Sequence, residues 1–431
     1  MRWWTWLWLL FQPPDYGIRI SPGFGRSPQD WGLEETRSGA SMFWWLYFVH
    51  PPGGPPSYDV VSRPLVVWLD GGPGDGGSGS GNFLQIGPLH LNGTIRETSW
   101  VNDFNVLYID APAGSGFSRI SPNGQSPTGK NEALDVRDCL LGFLNTHKEF
   151  REVPMYIFGH SYGGKLAVKV AELAISSSGL PWSNLKGVGL SSPYISPADT
   201  SWTLRTFYNE RGYLNATQNV AIDKIYKLMR QNLANQKWTE AFNGMAELLG
   251  MVSKHPECRD LETVYESVER KFKDFYDSDQ INDFMNTKVK PAIGVPRTYG
   301  VQTMEVYNAT LPEFMKPMIS SVRNILKNSD LKMIILSGGR DGLIPASSTA
   351  TWVDKVFENE DGWMDDGWVY TQRAALVVDN VIEAYGRRYK DFTLYFFPDA
   401  GHLVTRDSGK AVRVLLNIFT DTQAINYKTH N

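Results

Sequence analysis

The chain has 431 residues, of which 42% are hydrophobic, 13% aromatic and 20% charged. This composition excludes a disordered or fibrous chain, and the length fits one large α/β domain with an insertion, or two domains. The formal net charge is -4 and no Lys/Arg-rich stripe is present, so a surface that neutralises phosphates is excluded and we expect no nucleic-acid partner.

The first residues combine Arg2 with a Trp-rich apolar run, which resembles the hydrophobic part of a secretory signal. The run is too short to span a bilayer, so we expect no stable membrane insertion. Gln12, Pro13 and Pro14 follow in place of a small-residue cleavage site. A wrongly assigned start codon would give the same pattern, so the compartment stays open at this point.

Three sequons and two cysteines bear on the compartment. The sequons begin at Asn92, Asn215 and Asn308 and would accept glycans if the chain enters the secretory pathway. Together with the signal-like start, they predict a glycoprotein that is secreted or lysosomal/vacuolar. Cys139 and Cys258 fit either one disulfide or two buried thiols, and they make no metal framework.

Short apolar runs rich in β-branched and aromatic residues alternate with helical patterns, which is typical of an α/β sheet. The predicted strands are 43–49, 64–69, 105–110, 155–159, 187–190, 333–336 and 393–397. Several lack polar alternation, as expected of strands buried on both faces. Two helical faces that would cover the sheet are formed by Val136, Leu140 and Phe143, and by Leu166, Val170 and Leu173.

The alternation stops after residue 197, and helical stripes dominate residues 202–295. The stripes are Ile222, Ile225, Met229 and Leu233; Trp238, Phe242, Met245 and Leu249; and Leu261, Tyr265, Val268, Phe272 and Phe275. Strand-like sequence then resumes, so we predict an insertion into one domain. The predicted division is an N-terminal segment 1–29, a discontinuous core 30–198 and 296–425, and a helical lid 199–295.

The strongest local signal is Gly159-His160-Ser161-Tyr162-Gly163, a G-x-S-x-G sequence that follows an apolar strand and precedes a helical pattern. Glycines are needed on both sides because the serine lies on a sharp strand-to-helix turn, where larger side chains would collide. An ordinary glycine-rich turn can carry the same five residue types. The strand before it and the helix after it favour Ser161 as a nucleophile.

A serine hydroxyl needs a base, and in this arrangement the chain order is serine, acid, histidine. Of the seven histidines, His402 is the one that follows the serine in a loop at the end of a predicted strand, 393–397. Asp341 follows predicted strand 333–336 in the same way and is the predicted acid. Asp399 is the alternative acid, although it lies very close to His402 in the sequence.

The turn Asp70-Gly71-Gly72-Pro73-Gly74 follows predicted strand 64–69 and suits a loop that brings a backbone N–H up to a substrate carbonyl. We predict the N–H groups of Gly72 and Tyr162 as the oxyanion hole. A flexible loop or a phosphate cradle is the alternative. It is disfavoured because no Gly-Lys-Ser/Thr sequence follows.

A series of motifs extends over nearly the whole chain. They are Met42-Phe43-Trp44-Trp45-Leu46-Tyr47, Val67-Trp68-Leu69-Asp70-Gly71-Gly72-Pro73-Gly74, Gly81-Asn82-Phe83, Ile86-Gly87-Pro88-Leu89, Gly114-Ser115-Gly116-Phe117-Ser118, Gly159-His160-Ser161-Tyr162-Gly163-Gly164, Tyr194-Ile195-Ser196-Pro197, Phe314-Met315-Lys316-Pro317 and Ala400-Gly401-His402. In this order they resemble the serine carboxypeptidase family, and within it the retinoid-inducible branch.

The resemblance implies an α/β-hydrolase fold: a mostly parallel central sheet flanked by helices, with a helical lid insertion. It implies that Ser161, Asp341 and His402 are catalytic and that Gly72 and Tyr162 supply the oxyanion hole. No metal or cofactor is implied.

Two residues depart from the pattern of that family. The family holds the substrate's C-terminal carboxylate with a neutral amide before the Gly-Gly-Pro-Gly turn and a protonated glutamic acid before the serine. This chain has Asp70 and His160 there, so Asp70, Gly71 and His160 are the predicted substrate-binding residues. We expect carboxylate binding only at acid pH, where His160 is charged and Asp70 protonated. The alternatives are that the two side chains pair with each other, or that the subsite is lost.

These residues predict acyl transfer at the last peptide bond, with peptide or protein C-termini as substrates. An esterase or acyltransferase that uses the same three residues is the alternative enzyme. A binding protein with a disabled specificity pocket is the alternative outside enzymology. The presence of all three predicted catalytic residues, Ser161, Asp341 and His402, argues against it. The sequence gives no indication of an oligomeric state.

Overall fold

A mixed sheet of 11 strands runs through the part of the chain that the computed structural model describes. That part is residues 19–422 without 22, 52–58, 123, 125–126, 178, 180, 254–277, 302–303, 360–361 and 363. The strands are β1 (Gln29–Arg37), β2 (Ala40–Tyr47), β3 (Leu65–Leu69), β4 (Asn105–Ile109), β5 (Arg119–Ile120), β6 (Met155–His160), β7 (Leu185–Ser191), β8 (Lys332–Gly338), β9 (Ala374–Val378), β10 (Val381–Tyr389) and β11 (Phe392–Phe397).

The centre of the sheet is parallel. Its order is β1-β2-β4-β3-β6-β7-β8-β11-β10-β9, with β5 paired to β2. The run from β4 to β11 pairs in parallel, and antiparallel pairs extend it at both ends. Strands β3, β4 and β6 are buried along their whole length, which explains their continuous apolar sequence. The predicted mostly parallel sheet is confirmed, and each predicted strand is present.

Helices lie between and beside the strands. They are α1 (Gly129–Thr146), α2 (Tyr162–Ile175), α3 (Pro197–Glu210), α4 (Ala216–Ala234), α5 (Trp238–Ser253), α6 (Ser278–Phe284), α7 (Lys290–Ile293), α8 (Met304–Phe314), α9 (Ile319–Asn328), α10 (Ala346–Val356), α11 (Asp366–Val369), α12 (Val404–Asp407) and α13 (Gly409–Phe419). Gly76–Ile86 and Met285–Val289 have π-helical hydrogen bonding, and Val60–Ser62, Trp100–Asn102 and Lys148–Glu152 are 3-10 turns.

Two apolar clusters pack against the sheet. Successive residues of a strand point to opposite faces, so Val67 joins a cluster with Leu166 of α2, while Trp68 joins a second cluster with Leu415 of α13. Burying both faces of the parallel centre is the arrangement that helices on each side make possible.

A third apolar cluster belongs to the helices between β7 and β8. It includes Leu204 of α3, Ile222 and Met229 of α4, and Met245 of α5. The predicted stripes along α4 and α5 face this cluster. The third predicted stripe, in residues 261–275, lies outside the described residues.

Four strands were not predicted from the sequence. In β9 and β10 the exposed face carries apolar residues such as Val377, which is 54% exposed, so the polar alternation of a half-buried strand is missing. These two strands meet at Asp379 and Asn380, which both have positive φ, a conformation that Asn and Asp tolerate. Strand β1 is rich in charged residues and β5 has only two residues.

The residues expected to bear on the compartment are placed as follows. Asn92, Asn215 and Asn308 are exposed. Cys139 is a buried free thiol in α1, and Cys258 lies outside the described residues. No helix in the described ranges has the length and apolar character needed to cross a membrane.

His147 is a buried cation site between β1 and the end of α1. Its Nδ1 lies 2.7 Å from Oε1 of Glu149, and its Nε2 lies 3.0 Å from Oδ2 of Asp30. Burial by itself lowers the pKa of His147, but the hydrogen bonds and charges of the two carboxylates outweigh it and raise the pKa above its ordinary value of 6.5. Protonated His147 therefore stabilises the fold.

We predict that this stabilisation is fully present below pH 6.5 and is lost as the pH rises through the raised folded pKa of His147. The loss is roughly 1.4 kcal/mol for each unit by which the folded pKa exceeds the unfolded one. Urea unfolding across about pH 5 to 9 should show this decline in wild type and a flatter profile in His147→Gln. Parallel profiles for the two proteins would contradict the assignment.

Candidate active site

Ser161 lies on a strained turn between β6 and α2, with φ 54 and ψ -119. A Cβ on Gly159 would lie 2.1 Å from the Gly163 carbonyl oxygen, and one on Gly163 would lie 2.2 Å from the Leu69 carbonyl oxygen. Only glycine fits at both positions. The turn stands at the carboxyl end of β6, where the strand order reverses beside β3, which is the usual place of a ligand site in such sheets.

His402 and Asp341 are in contact. Nδ1 of His402 lies 2.8 Å from Oδ2 of Asp341, and the residues are 4% and 1% exposed. The other carboxylate oxygen of Asp341 accepts the N–H groups of Leu343 and Ile344, both at 2.8 Å, so the acid is fixed in the turn after β8. With its Nδ1–H donated to Asp341, His402 has Nε2 as its basic nitrogen.

The alternative acid is placed differently. Asp399 forms an ion pair with Arg340, and the side chain of Asp399 is 79% exposed. Its charge faces solvent, and the contact with His402 is made by Asp341.

The glycine turn after β3 packs directly against the serine. A Cβ on Gly71 would lie 2.9 Å from Cβ of Ser161 and 3.4 Å from its Oγ. Gly72 and Gly74 have φ values of 102 and 105, which favour glycine. The predicted oxyanion donors, Gly72 and Tyr162, thus lie on the two segments that meet at Ser161.

The three predicted substrate-binding residues bond to one another. Nδ1 of His160 lies 3.2 Å from Oδ1 of Asp70, and the Gly71 N–H donates to the same oxygen at 2.9 Å. The side chains of Asp70 and His160 are 1% and 4% exposed. Of the sequence-based alternatives for these two residues, the structure has the one in which they pair.

Two further residues of this network were not identified from the sequence. The Gln85 amide donates to Oδ1 of Asp70 at 3.2 Å, and the Thr405 hydroxyl donates to Oε1 of Gln85 at 2.8 Å. Gln85 directly precedes the Ile86-Gly87-Pro88-Leu89 motif, a position that could have drawn attention to it. Thr405 gives no sequence signal.

His160 also reaches the loop of the predicted base, His402. Its Nε2 lies 3.2 Å from the carbonyl oxygen of His402, and the two imidazole rings have centroids 4.7 Å apart. The residue before the serine thus contacts the predicted base through both its ring and its hydrogen bond.

A model of the serine carboxypeptidase family matches residues 24–422. The chain belongs to the serine carboxypeptidase family. It is 26% identical over 451 residues to the retinoid-inducible serine carboxypeptidase of Homo sapiens, covering 96% of this chain and 97% of that protein. It is 26% identical over 418 residues to serine carboxypeptidase-like 51 of Arabidopsis thaliana, covering 88% of each.

A solved structure shares the fold. The prohormone-processing carboxypeptidase Kex1(delta)p of Saccharomyces cerevisiae superposes with a TM-score of 0.77 at 17% identity, over 97% of this chain and 98% of the other. The resemblance inferred from the motifs is confirmed, and so is the α/β-hydrolase fold that it implied.

In this serine carboxypeptidase chain, Asp110 joins the loops behind the glycine turn. Its carboxylate accepts the backbone N–H and hydroxyl of Ser78 and the N–H of Phe117, each at 2.8 Å. Burial raises the pKa of Asp110 to about 6. The three hydrogen bonds oppose this rise, and the one from the Phe117 N–H opposes it most. Motif order alone gave no indication of this role.

Lys165 anchors α2, the helix that follows Ser161, to the end of α8. Its side chain is fully buried, and Nζ donates to the carbonyl oxygens of Glu313, Phe314 and Lys316 at 2.9, 2.6 and 2.6 Å. Burial lowers the pKa of Lys165 well below its ordinary value. The three carbonyls use all three donors of an ammonium group.

We predict that Lys165→Met lowers the free energy of unfolding by about 3 kcal/mol, because three partly buried carbonyls lose the donor that they share. Lys186→Met is the matched control, since Lys186 is exposed on β7, and it should change stability by less than about 0.5 kcal/mol. Urea unfolding of the two variants measures the difference. Equal stability of the two would show that α8 does not depend on this ammonium group.

Proposed function

We propose that this chain is a serine peptidase that releases C-terminal residues from peptides through an acyl-enzyme. The observation that carries the proposal is the 2.8 Å contact between His402 and Asp341, together with a serine on a strained strand-to-helix turn whose preceding residue, His160, contacts His402. Ser161 attacks the last peptide carbonyl while His402 takes its proton and returns it to the leaving amine. Water then releases the shortened peptide, and none of these steps requires a metal or cofactor.

The oxyanion of the tetrahedral intermediate is held by the N–H groups of Gly72 and Tyr162. Support comes from the packing of the glycine turn on Ser161 and from the position of Tyr162 at the amino end of α2. A single such donor is worth about 3 kcal/mol of transition-state stabilisation.

Residues 199–295 are proposed as a lid over this site, inserted into a core of residues 30–198 and 296–425. The hydroxyl of Tyr208 in α3 donates to the carbonyl of Gly342 at 2.5 Å, and Gly342 directly follows Asp341. Phe242 of α5 packs on Phe314 with ring centroids 5.2 Å apart. Phe314 in turn stacks on the ring of Tyr162, so the helices reach the nucleophile turn.

Capture of a substrate carboxylate by His160 is proposed to require acid pH. While Asp70 is ionised, it occupies Nδ1 of His160 and the Gly71 N–H. Proton uptake by Asp70 would free these donors for a carboxylate, while Nε2 of His160 stays on the carbonyl of His402. An acidic extracellular or lysosomal/vacuolar compartment suits this requirement, and exposed sequon asparagines fit a secreted glycoprotein.

The test of carboxylate capture by His160 is the release of the C-terminal residue from N-blocked dipeptides across about pH 4 to 8. Each dipeptide is supplied as the free acid and as the C-terminal amide. We predict that the free acid is cleaved best at acid pH and that the amide is cleaved more slowly there. Ser161→Ala is the blank, because it removes the nucleophile. Equal cleavage of acid and amide at every pH would overturn carboxylate capture by His160.

An esterase or acyltransferase is the second candidate, and the mutual bonding of Asp70, Gly71 and His160 favours it. The donors that would bind a substrate carboxylate are already hydrogen-bonded within the protein. Such a site selects an acyl donor by groups other than a carboxylate. Turnover of esters with no turnover of either dipeptide would establish this alternative.

We also predict that Asp341→Asn lowers kcat by about 10⁴-fold, because an amide stabilises the wrong histidine tautomer and does not balance the imidazolium. Asp399→Asn is the matched control and should retain wild-type kcat, since its carboxylate pairs with Arg340. Steady-state hydrolysis of an activated ester measures both. A large loss of kcat in Asp399→Asn, with little loss in Asp341→Asn, would show that Asp399 and not Asp341 is the acid that acts with His402.

A further inference from the structure

We infer that His160, held in place by Asp70, is a positioning residue for His402. The inference rests on the proposed function and assigns to the two residues that depart from the family a second task, namely holding the loop of the catalytic base. It does not involve contact between this pair and the reacting atoms.

The ring of His160 is fixed at both nitrogens. Nδ1 faces the carboxylate of Asp70 and Nε2 faces the carbonyl of His402, each at 3.2 Å. Both partners are acceptors, so the geometry suits an imidazolium that donates in both directions, with Asp70 balancing the charge. A buried ring with two such bonds has one orientation, and that orientation fixes the carbonyl of His402.

Asp70 ties down the same loop at a second point. Its Oδ1 accepts from the Gln85 amide, and Oε1 of Gln85 accepts from the Thr405 hydroxyl at the beginning of α12. His402 and Thr405 are therefore held from one carboxylate through two separate side chains. The Gly71 N–H joins the same carboxylate, which links the oxyanion turn to the base loop.

The two sides of the catalytic histidine thus have separate supports. Asp341 orients the imidazole ring through Nδ1, and His160 orients the backbone of the same residue through its carbonyl. A displacement of about 1 Å in a catalytic group can cost on the order of 10²-fold in rate, so fixing the backbone has catalytic value. Gly401, which directly precedes His402, donates its N–H to Oδ2 of Asp407 at 2.8 Å, but a glycine by itself restrains the chain little.

Two substitutions of His160 separate its two hydrogen bonds. In His160→Gln the terminal amide nitrogen takes roughly the place of Nε2 and can still donate to the carbonyl of His402. In His160→Asn the shorter amide takes roughly the place of Nδ1 and can reach Asp70 alone. Positioning of His402 depends on the bond to its carbonyl, which His160→Gln keeps and His160→Asn loses.

The measurement is the rate at which a fluorophosphonate labels Ser161. This reagent has no C-terminal carboxylate, so its rate reports the activation of the serine by His402 and not substrate recognition. We expect His160→Asn to label on the order of 10²-fold more slowly than wild type, and His160→Gln to label at least about tenfold faster than His160→Asn. With an activated ester, the loss should fall on kcat while KM stays unchanged.

His50→Asn is the matched control, because His50 lies after β2, at the end of the parallel strands opposite to Ser161. Its backbone N–H donates to the Val101 carbonyl. It should label at the wild-type rate. Thermal unfolding of each variant shows that it is folded at the assay temperature. Asp70→Asn gives a second route, since it weakens the hold on His160 without changing that residue, and it should slow labelling in the same direction.

Equal labelling of wild type, His160→Asn and His160→Gln would overturn the positioning role. So would a set of variants that raise KM for free-acid dipeptides and leave labelling unchanged, since that result describes a substrate anchor only. Failure of the proposed function looks different: wild type itself would then label no faster than Ser161→Ala.

Discussion

The site depends on one backbone constraint, the sharp turn at Ser161 between a buried strand and a helix. The turn fits because Gly163 lies against the Leu69 carbonyl of the neighbouring strand and Gly159 lies against Gly163. Backbone bonds hold the strained residue: its N–H donates to Ser191, and its carbonyl accepts from Tyr194. Strain of this kind persists only where the surroundings over-determine it, and the centre of a parallel sheet provides such surroundings.

Buried polar groups, which must find partners, organise the loops around that turn. Asp110 gathers the N–H groups of Ser78 and Phe117, and Asp70 gathers those of Gly71 and the Gln85 side chain. Each carboxylate follows the carboxyl end of a strand, so each fixes loops relative to the rigid sheet. The edge of the sheet beside Ser161 is therefore a set of irregular segments held by buried acids, and the low local dielectric strengthens every one of these bonds.

The sequence predicted the elements whose signals are local. Continuous apolar runs marked the central strands, and glycines around Ser161 marked the turn, because each follows from the chemistry of a few adjacent residues. The bond of Gln85 to Asp70 and the clamp of Lys165 on the end of α8 join segments far apart in the chain. No periodicity encodes such contacts. Strands β9 and β10 were missed because their exposed face is apolar, which hides the alternation.

Asp70 and His160 are best understood as a coupled change. The family pattern at these positions is a neutral amide and a protonated glutamic acid, neither of which carries charge. Introducing the aspartate alone would bury an unpaired anion, and introducing the histidine alone would bury an imidazole without the carboxylate that now contacts it. Either change by itself costs several kcal/mol, whereas the two together balance at 3.2 Å with both side chains nearly inaccessible. A pair stabilised in this way resists opening, because separating the two side chains would leave buried polar groups without their partners.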